Sequence, residues 1–329
     1  MQLETSVKPP AAPVKAKSAQ ALMSDLWKQR GVYQENDATQ RRLSEIGDFV
    51  LQGYRISGEH HASFHRIVEQ VSLIPKEFQG FVYEGVGMGL AEKGLRLRGS
   101  LSLLEDFATQ FAMPFHNWIY VGIGLMASQA NISLLPISAS FSRERRWLAL
   151  DGYAYHQGVF HWQTLIKQRA YPETINEKIT AAEASVFDQG LGRSLWFVDA
   201  GKVEPLLKTV EQFSTSRQKD LWGGIGYACA YAGGASEETL RSLFTTAATH
   251  QPQLLAGATF ALKARTASEC PAKWTSLTYQ LWQSLSQSSP ASTQAHDTWA
   301  HDTWAHDTWT HDTWTHYRAN ITHPTANDS

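Results

Sequence analysis

Four apolar segments that combine glycine with aromatic side chains constrain the fold of this chain more than any other feature. They occupy residues 78–91, 118–127, 221–234 and 254–262. Glycine inside a helix costs about 1 kcal/mol relative to alanine, so its repeated use requires a compensating gain. Small residues four apart, such as Gly85 and Gly89, leave a flat strip on a helix that lets a second backbone approach closely. We therefore predict tightly packed helices at these segments.

Hydrophobic periodicity elsewhere in the chain is also helical. Leu43, Ile46 and Phe49 lie on one face of a predicted helix. The best strand candidates are residues 146–151 and 195–198, and both could be helical instead. We predict an all-α fold in which antiparallel helical hairpins form a repeat-like array or bundle.

The segments that begin at Phe78 and Asp220 resemble copies of one helical-hairpin unit. This similarity predicts a possible internal duplication, with halves near residues 70–140 and 205–266. Both halves fall within one predicted helical domain, residues 21–287.

The two ends of the chain differ in composition from this domain. Residues 1–20 contain prolines and lysines but no apolar core, which predicts a disordered leader rather than a signal peptide or membrane anchor. Residues 288–329 contain a five-residue repeat, Ala-His-Asp-Thr-Trp, that starts at Ala295 and matches neither the helix nor the strand period. We predict a low-complexity tail outside the fold. Its histidines and aspartates could bind a metal loosely, but composition alone builds no coordination shell, so no metal site is predicted.

The overall composition is that of a globular protein with little net charge. Hydrophobic residues make up 43% of the chain and the formal charge is −2, which indicates neither nucleic acid nor anionic membrane as a partner. The longest apolar stretch, residues 118–141, is interrupted by Gln129 and Pro136, so we predict a buried helix and a loop rather than a membrane span. With only two cysteines, no disulfide framework is indicated, and we predict a cytoplasmic protein.

Residues 151–161 form the densest cluster of polar and aromatic side chains. His156 and His161 are candidate general acids or bases, and Asp151 could orient His156. Histidines five residues apart diverge on a helix, so they are weaker metal ligands. The alternative is that both histidines are structural groups at a helix start.

Glu84 lies inside the first apolar segment, where a carboxylate is rarely buried without a partner. It could act as an acid or base in a hydrophobic pocket, with a pKa raised by desolvation. Alternatively it pairs with Arg193. Arg193 could instead hold an anionic group of a substrate, including a carrier-tethered one. Asp199 is expected to cap the helix that contains Val203.

These arguments define two sets of candidate residues. The predicted catalytic residues are Glu84, Asp151, His156 and His161. The predicted substrate-binding residues are Tyr83, Tyr155, Arg193, Trp196 and Trp222. No phosphate-binding loop, dinucleotide fingerprint, His-Glu-x-x-His motif or nucleophile elbow occurs in the sequence, so we predict neither cofactor nor metal.

Several of these segments together resemble a known family. Residues 78–91, 151–161, 192–199 and 220–227 are similar to the blocks of domain-of-unknown-function family 1702. The resemblance covers roughly residues 40–268, with the leader and tail outside it. Members of that family occur beside enediyne polyketide synthases and also in other bacteria. The resemblance implies a role in a polyketide or related natural-product pathway, but it carries no catalytic residues over to this chain.

We therefore expect an enzyme that acts on a long apolar, polyene-like intermediate by cofactor-free cyclisation or isomerisation. Binding would come mainly from burial of apolar surface. The alternative is a non-catalytic helical-repeat adaptor that docks a polyketide synthase or another pathway partner through its concave face. A further alternative is an unusual terpene cyclase acting on prenyl diphosphates, although the aspartate-rich motifs of such enzymes are absent.

Overall fold

A computed structural model of the chain describes residues 18–169, 171–172, 174–175 and 179–288, without the side chain of Lys167. The predictions of a disordered leader and a low-complexity tail concern residues that lie almost wholly outside these ranges.

The described residues form 15 α-helices, two short 3-10 turns and no strand, which confirms the predicted all-α fold. Both strand candidates lie within helices, α8 and α10. In chain order the α-helices are α1 (Ala19–Arg30), α2 (Ala38–His60), α3 (Phe64–Ser72), α4 (Lys76–Arg98), α5 (Ser102–Gln110), α6 (His116–Gln129), α7 (Leu134–Ile137), α8 (Arg143–Phe160), α9 (Trp162–Gln168), α10 (Ala181–Val198), α11 (Val203–Val210), α12 (Thr215–Ala232), α13 (Glu237–Thr246), α14 (Gln251–Ala267) and α15 (Lys273–Gln287).

Seven long helices, α2, α4, α6, α8, α10, α12 and α14, pack each against the next. Neighbouring long helices run in the same direction. Between α2 and α4, for example, Phe49 stacks on Phe78 and Tyr54 donates a hydrogen bond to Glu92, so the contacts advance together along both helices. The shorter segments between them return the chain, so the array is repeat-like. The predicted antiparallel pairing is not formed between the long helices themselves, which are parallel.

Glycine allows the long helices to approach one another. A Cβ added to Gly85 would lie 1.9 Å from the carbonyl oxygen of Val50 in α2, and one added to Gly87 would lie 2.3 Å from that of Ile119 in α6. Residues two apart lie on nearly opposite sides of a helix, about 200° apart. One glycine of a Gly-x-Gly unit therefore contacts the preceding long helix and the other contacts the next. The same arrangement occurs at Gly122 and Gly124, Gly190 and Gly192, and Gly224 and Gly226.

The predicted strip formed by Gly85 and Gly89 is confirmed, because both residues face α2. The close-packing unit recurs at successive long helices rather than only twice. The duplication into two halves stays a prediction about the origin of the sequence, while the packing unit occurs in α4, α6, α10 and α12.

The array curls until its two ends meet. Arg42 of α2 donates to the carbonyl oxygen of Ala232 at the end of α12, at 3.1 Å. Arg265 of α14 donates to the carbonyl oxygen of Glu77 at the start of α4. Because of this curl, α4 faces α10 and α12 across the inside of the array.

The segment with the longest apolar stretch folds as predicted, with α6 buried and followed by a loop and the short α7. Within the described ranges, none of the helices combines the length and apolarity that crossing a membrane would require.

Candidate functional site

The residues that flank each Gly-x-Gly unit lie on one side of the long helices, which we call the inner face. In α4 these residues are Glu84 and Met88, and in α10 they are Gln189 and Arg193. In α8, where alanine replaces the second glycine, Asp151 and Tyr155 occupy the same positions. The glycines lie on the two sides of each helix next to the inner face, where the neighbouring long helices pack against them. Side chains of α4 and α10, which are not neighbours in the array, meet on this side. The inner face is therefore the concave side of the curled array.

A buried ion cluster, which we call the inner triad, joins Glu84, Asp151 and Arg193. One terminal nitrogen of Arg193, Nη1, donates to Oδ2 of Asp151, and the other, Nη2, donates to Oε1 of Glu84 at 3.4 Å. The guanidinium carbon lies 5.1 Å from the ring centre of Tyr155 and 5.2 Å from that of Tyr227. Pairing of Glu84 with Arg193, one of the two interpretations of the sequence, is confirmed as a contact.

Burial raises the pKa of Glu84 to about 7, an effect that the charge of Arg193 opposes and that of Asp151 reinforces. Burial also raises the pKa of Asp151, against the charge and hydrogen bond of Arg193. Burial alone would lower the pKa of Arg193, but the two carboxylates raise it above its ordinary value. Asp151 holds the guanidinium more closely than Glu84 does, so Arg193 opposes protonation of Asp151 more strongly than protonation of Glu84.

The inner face retains accessible surface where the opposite side of the helices does not. Met88 and Phe260, on this face, keep 8% and 7% of their surface accessible. Val86 and Ile225, each between two glycines, keep none. Tyr155 and Tyr227 are only partly buried. The inner face is therefore slightly less tightly covered than the positions between the glycines.

Desolvation nevertheless raises the pKa of both Tyr155 and Tyr227. Low dielectric surroundings disfavour the anion of a phenol, which is the cause of both shifts. Oδ1 of Asp151 is buried and has no hydrogen-bond partner among the described residues.

His156 and His161 do not join the inner triad. Nδ1 of His156 lies 2.8 Å from Oγ of Ser128, and burial, assisted by the charge of His161, lowers the pKa of His156 to about 3. His161 is exposed at the junction of α8 and α9. The expectation that Asp151 orients His156 is wrong, because residues five apart on α8 point in different directions and Asp151 binds Arg193 instead.

Three of the predicted substrate-binding residues, all aromatic, lie elsewhere in the core and do not contact the inner triad. Tyr83 stacks on Phe115 with ring centres 4.1 Å apart, and Trp222 stacks on His250 at 6.5 Å. Trp196 is fully buried beside Gly201. Of the predicted substrate-binding residues, the structure brings Tyr155 and Arg193 together with Glu84 and Asp151.

Asp199 does not cap the helix that contains Val203. It follows the last residue of α10 and accepts hydrogen bonds from Arg30, while Lys202 is the residue that precedes α11. Gly201, with a φ of 67°, turns the chain between the two helices. The backbone therefore reverses after Asp199, before the next helix begins.

Tyr227 is the residue of this site that the sequence analysis missed. It follows a Gly-x-Gly unit directly, as Arg193 does in α10, and Tyr155 occupies the corresponding place in α8. Aligning the four glycine units, rather than searching for titratable residues, would have identified it.

Within the described part of the chain, no group of three or more His, Cys, Asp or Glu residues is placed to hold a metal ion. The histidines of the pentapeptide repeat lie outside the described residues.

Comparison with known protein families identifies the family of this chain. A family model described as a protein of unknown function, DUF1702, matches residues 18–324. No curated protein and no solved structure matches the chain. The match extends beyond residues 40–268 and includes the whole pentapeptide repeat, so the expectation that the tail lies outside the family is wrong. The chain belongs to the DUF1702 family of proteins of unknown function.

Proposed function

We propose that this protein is an enzyme that exchanges protons with a long, apolar, polyene-like intermediate and so catalyses an isomerisation or cyclisation without a cofactor. The observation that carries the proposal is the position of Glu84. Its carboxyl group has a pKa of about 7 and lies on the inner face beside Arg193, near Asp151 and the rings of Tyr155 and Tyr227. General acid–base catalysis is most effective when the pKa of the catalytic group lies near the working pH.

The charges of the inner triad support proton donation by Glu84. With Glu84 protonated, Asp151 and Arg193 balance each other and the triad is neutral. After Glu84 has released its proton, the triad has one net negative charge. That charge and the rings of Tyr155 and Tyr227 would stabilise positive charge that develops on a conjugated chain. Return of a proton from another carbon to Glu84 would complete an isomerisation.

The adaptor alternative requires a concave face open to another protein. Here Phe81 of α4 lies 5.0 Å from Tyr231 of α12, ring centre to ring centre, so this part of the face is covered by the protein's own side chains. The terpene-cyclase alternative requires groups that bind a diphosphate. Arg193, the cation of the inner face that contacts Glu84, is already paired with two carboxylates. Both observations favour the proton-transfer enzyme.

We also propose that the protein acts in a natural-product pathway in the cytoplasm. The resemblance of the sequence blocks to proteins found beside enediyne polyketide synthases supports a polyketide-derived chain, free or carrier-tethered, as the substrate. A polyketide synthase or carrier protein is the corresponding partner.

Complementation of a deletion strain tests the function. Deletion should cause a conjugated intermediate to accumulate, and the wild-type gene should restore its consumption. Glu84→Gln keeps the shape of protonated glutamic acid but exchanges no proton, so it should fold and fail to restore product.

The matched control is Glu204→Gln, which alters an exposed glutamate of α11 that pairs with Lys208. It should restore product fully. Full restoration by Glu84→Gln would contradict the proposed enzyme and favour the adaptor.

A further inference from the structure

We infer that the substrate is an uncharged conjugated chain that carries a hydroxyl group, as an enol or alcohol, and that Oδ1 of Asp151 accepts a hydrogen bond from this hydroxyl. The inference rests on the proposed function and names its substrate class.

The unpartnered oxygen of Asp151 is the first observation. Only 1% of the residue is exposed, and its other oxygen, Oδ2, accepts from Arg193. A buried carboxylate oxygen without a donor is costly, because the carboxylate loses water without replacement. Oδ1 therefore calls for a donor from outside the described residues.

The charge around Asp151 selects the kind of donor. A hydroxyl offers a proton, whereas a carboxylate or phosphate offers only acceptors and would meet the negative charge of Asp151. Arg193 does not compensate for a ligand anion, since Asp151 and Glu84 already occupy both of its terminal nitrogens. An uncharged hydroxyl therefore suits the site better than an anionic head group.

The second observation is that Asp151 and Glu84 bind the same guanidinium, one at each terminal nitrogen. A hydroxyl bound at Asp151 therefore lies on the same inner face as the carboxyl group that exchanges protons. The apolar remainder of the chain would contact Tyr155, Tyr227 and Phe260, which line that face.

An enol also provides the electron-rich carbon that a weak acid such as Glu84 needs as a proton acceptor. A carboxylic acid as weak as Glu84 is a poor donor to an isolated double bond, but an enol pushes electrons toward the carbon that receives the proton. Asp151 takes the hydroxyl proton, the electrons of that O–H bond form a carbonyl, and the double bonds shift along the chain. The far carbon then takes the proton of Glu84, so one C–H bond forms as the O–H bond of Glu84 breaks. Transfer of the proton from Asp151 to Glu84 restores the starting state, with no oxidant or reductant.

Binding of three conjugated probes to the purified full-length protein tests the inference. Retinol has the hydroxyl, retinyl methyl ether has the same chain without a donor, and retinoic acid has an anion at the same place. By fluorescence titration at pH 8, retinol should bind about tenfold or more tightly than the ether. Retinoic acid should bind more weakly than retinol.

Two variants assign the preference to Asp151. Asp151→Asn should bind retinol and the ether with similar affinity. The matched control, Asp188→Asn, alters a second buried aspartate paired with an arginine, Arg217, and should keep the preference for retinol. The wild-type comparison stands even if either variant fails to fold.

Equal binding of retinol and the ether by the wild type would overturn the inference, as would failure of all three probes to bind. Neither result decides the proposed function, which depends on complementation by Glu84→Gln. A preference for retinol that survives in folded Asp151→Asn would also assign the hydroxyl to another group and overturn the inference.

Discussion

Glu84 and Asp151 share one arginine but contact it unequally. Arg193 opposes the burial that raises the pKa of Asp151, and its closer contact is with Asp151. Glu84, at 3.4 Å from Nη2, has a pKa raised to about 7. The arginine thus acts unequally on two carboxyl groups in one buried site, which suits a site where one group donates a proton and another accepts a hydrogen bond.

This difference predicts how stability varies with pH. The pKa of Glu84 is about 7 in the folded chain against an ordinary value of 4.5, so the unfolded chain loses this proton at lower pH. The contribution of Glu84 to stability is present below pH 4.5 and is lost as pH rises through 7. Between pH 5 and pH 8, the free energy of unfolding of the wild type should fall by roughly 2–3 kcal/mol more than that of Glu84→Gln.

Urea unfolding followed by circular dichroism at both pH values measures this difference, with Glu204→Gln as the control that should follow the wild type. Identical pH dependence of the wild type and Glu84→Gln would show that Glu84 is ionised throughout.

Sequence reasoning found part of this chemistry. A glutamate inside an apolar helix needs a partner, and that argument led to Glu84 and Arg193. Proximity in sequence was a poorer guide for His156, since the direction of a side chain depends on the helical angle and on which neighbour each side of α8 meets. Asp151 was predicted to be a site residue, but its predicted partner was His156 and its partner in the structure is Arg193.

At the scale of the helix, the Gly-x-Gly unit determines how closely two neighbours approach. Its two glycines serve two different contacts, so each long helix can pack closely on both sides. The sequence revealed close packing but not this division, because glycines four apart were interpreted as one strip and those two apart carried no separate signal.

Replacing a glycine by alanine should have opposite effects on stability inside and outside a Gly-x-Gly unit. A Cβ on Gly224 would lie 1.9 Å from the carbonyl oxygen of Gln189, whereas one on Gly58, within α2, would meet no atom within 4 Å. Gly224→Ala should therefore destabilise the protein by about 1–3 kcal/mol or more through overpacking. Gly58→Ala should stabilise it by about 0.5–1 kcal/mol through helix propensity.

Urea unfolding of both variants at one pH measures the two changes. A neutral or stabilising effect of Gly224→Ala would mean that α10 and α12 separate without cost, contrary to the close contact described here.

In the whole molecule, closure of the array depends on contacts between distant parts of the chain. Arg42 and Ala232 are 190 residues apart, and Arg265 and Glu77 are 188 apart. Local periodicity predicted a repeat-like array or bundle but not its curl, since no local pattern encodes which carbonyl a distant arginine will meet. The inner triad depends on the same curl, because α4 and α10 meet only through it.

Because Arg265 joins the two ends of the array, its removal should reduce the protection of amide hydrogens from exchange at both ends together. Arg265 donates to the carbonyl oxygens of Glu77 and of Tyr231, the latter at 2.6 Å. Arg265→Met leaves one buried and one partly buried acceptor without this donor, so hydrogen exchange should accelerate at the start of α4 and at the end of α12 alike. Exchange measured by mass spectrometry tests this expectation.

Arg241→Met is the control, since Arg241 is exposed and pairs with Glu237 within α13. Its exchange pattern should match that of the wild type outside α13. Acceleration confined to α14 in Arg265→Met would indicate that the ends of the array are held by other contacts.

The chemistry of this closure differs from that of the inner triad in its response to acid. Arg42 and Arg265 donate to the last carbonyl groups of α12, where the partial negative charge of the helix dipole favours a cation. A peptide carbonyl does not titrate in the range where carboxylates become protonated. At a pH low enough to protonate Glu84 and Asp151, the two carboxyl partners of Arg193 would be neutral, but Arg42 and Arg265 would stay bound to α12. The contacts that close the array should therefore persist in acid after the inner triad has lost its carboxylate charges.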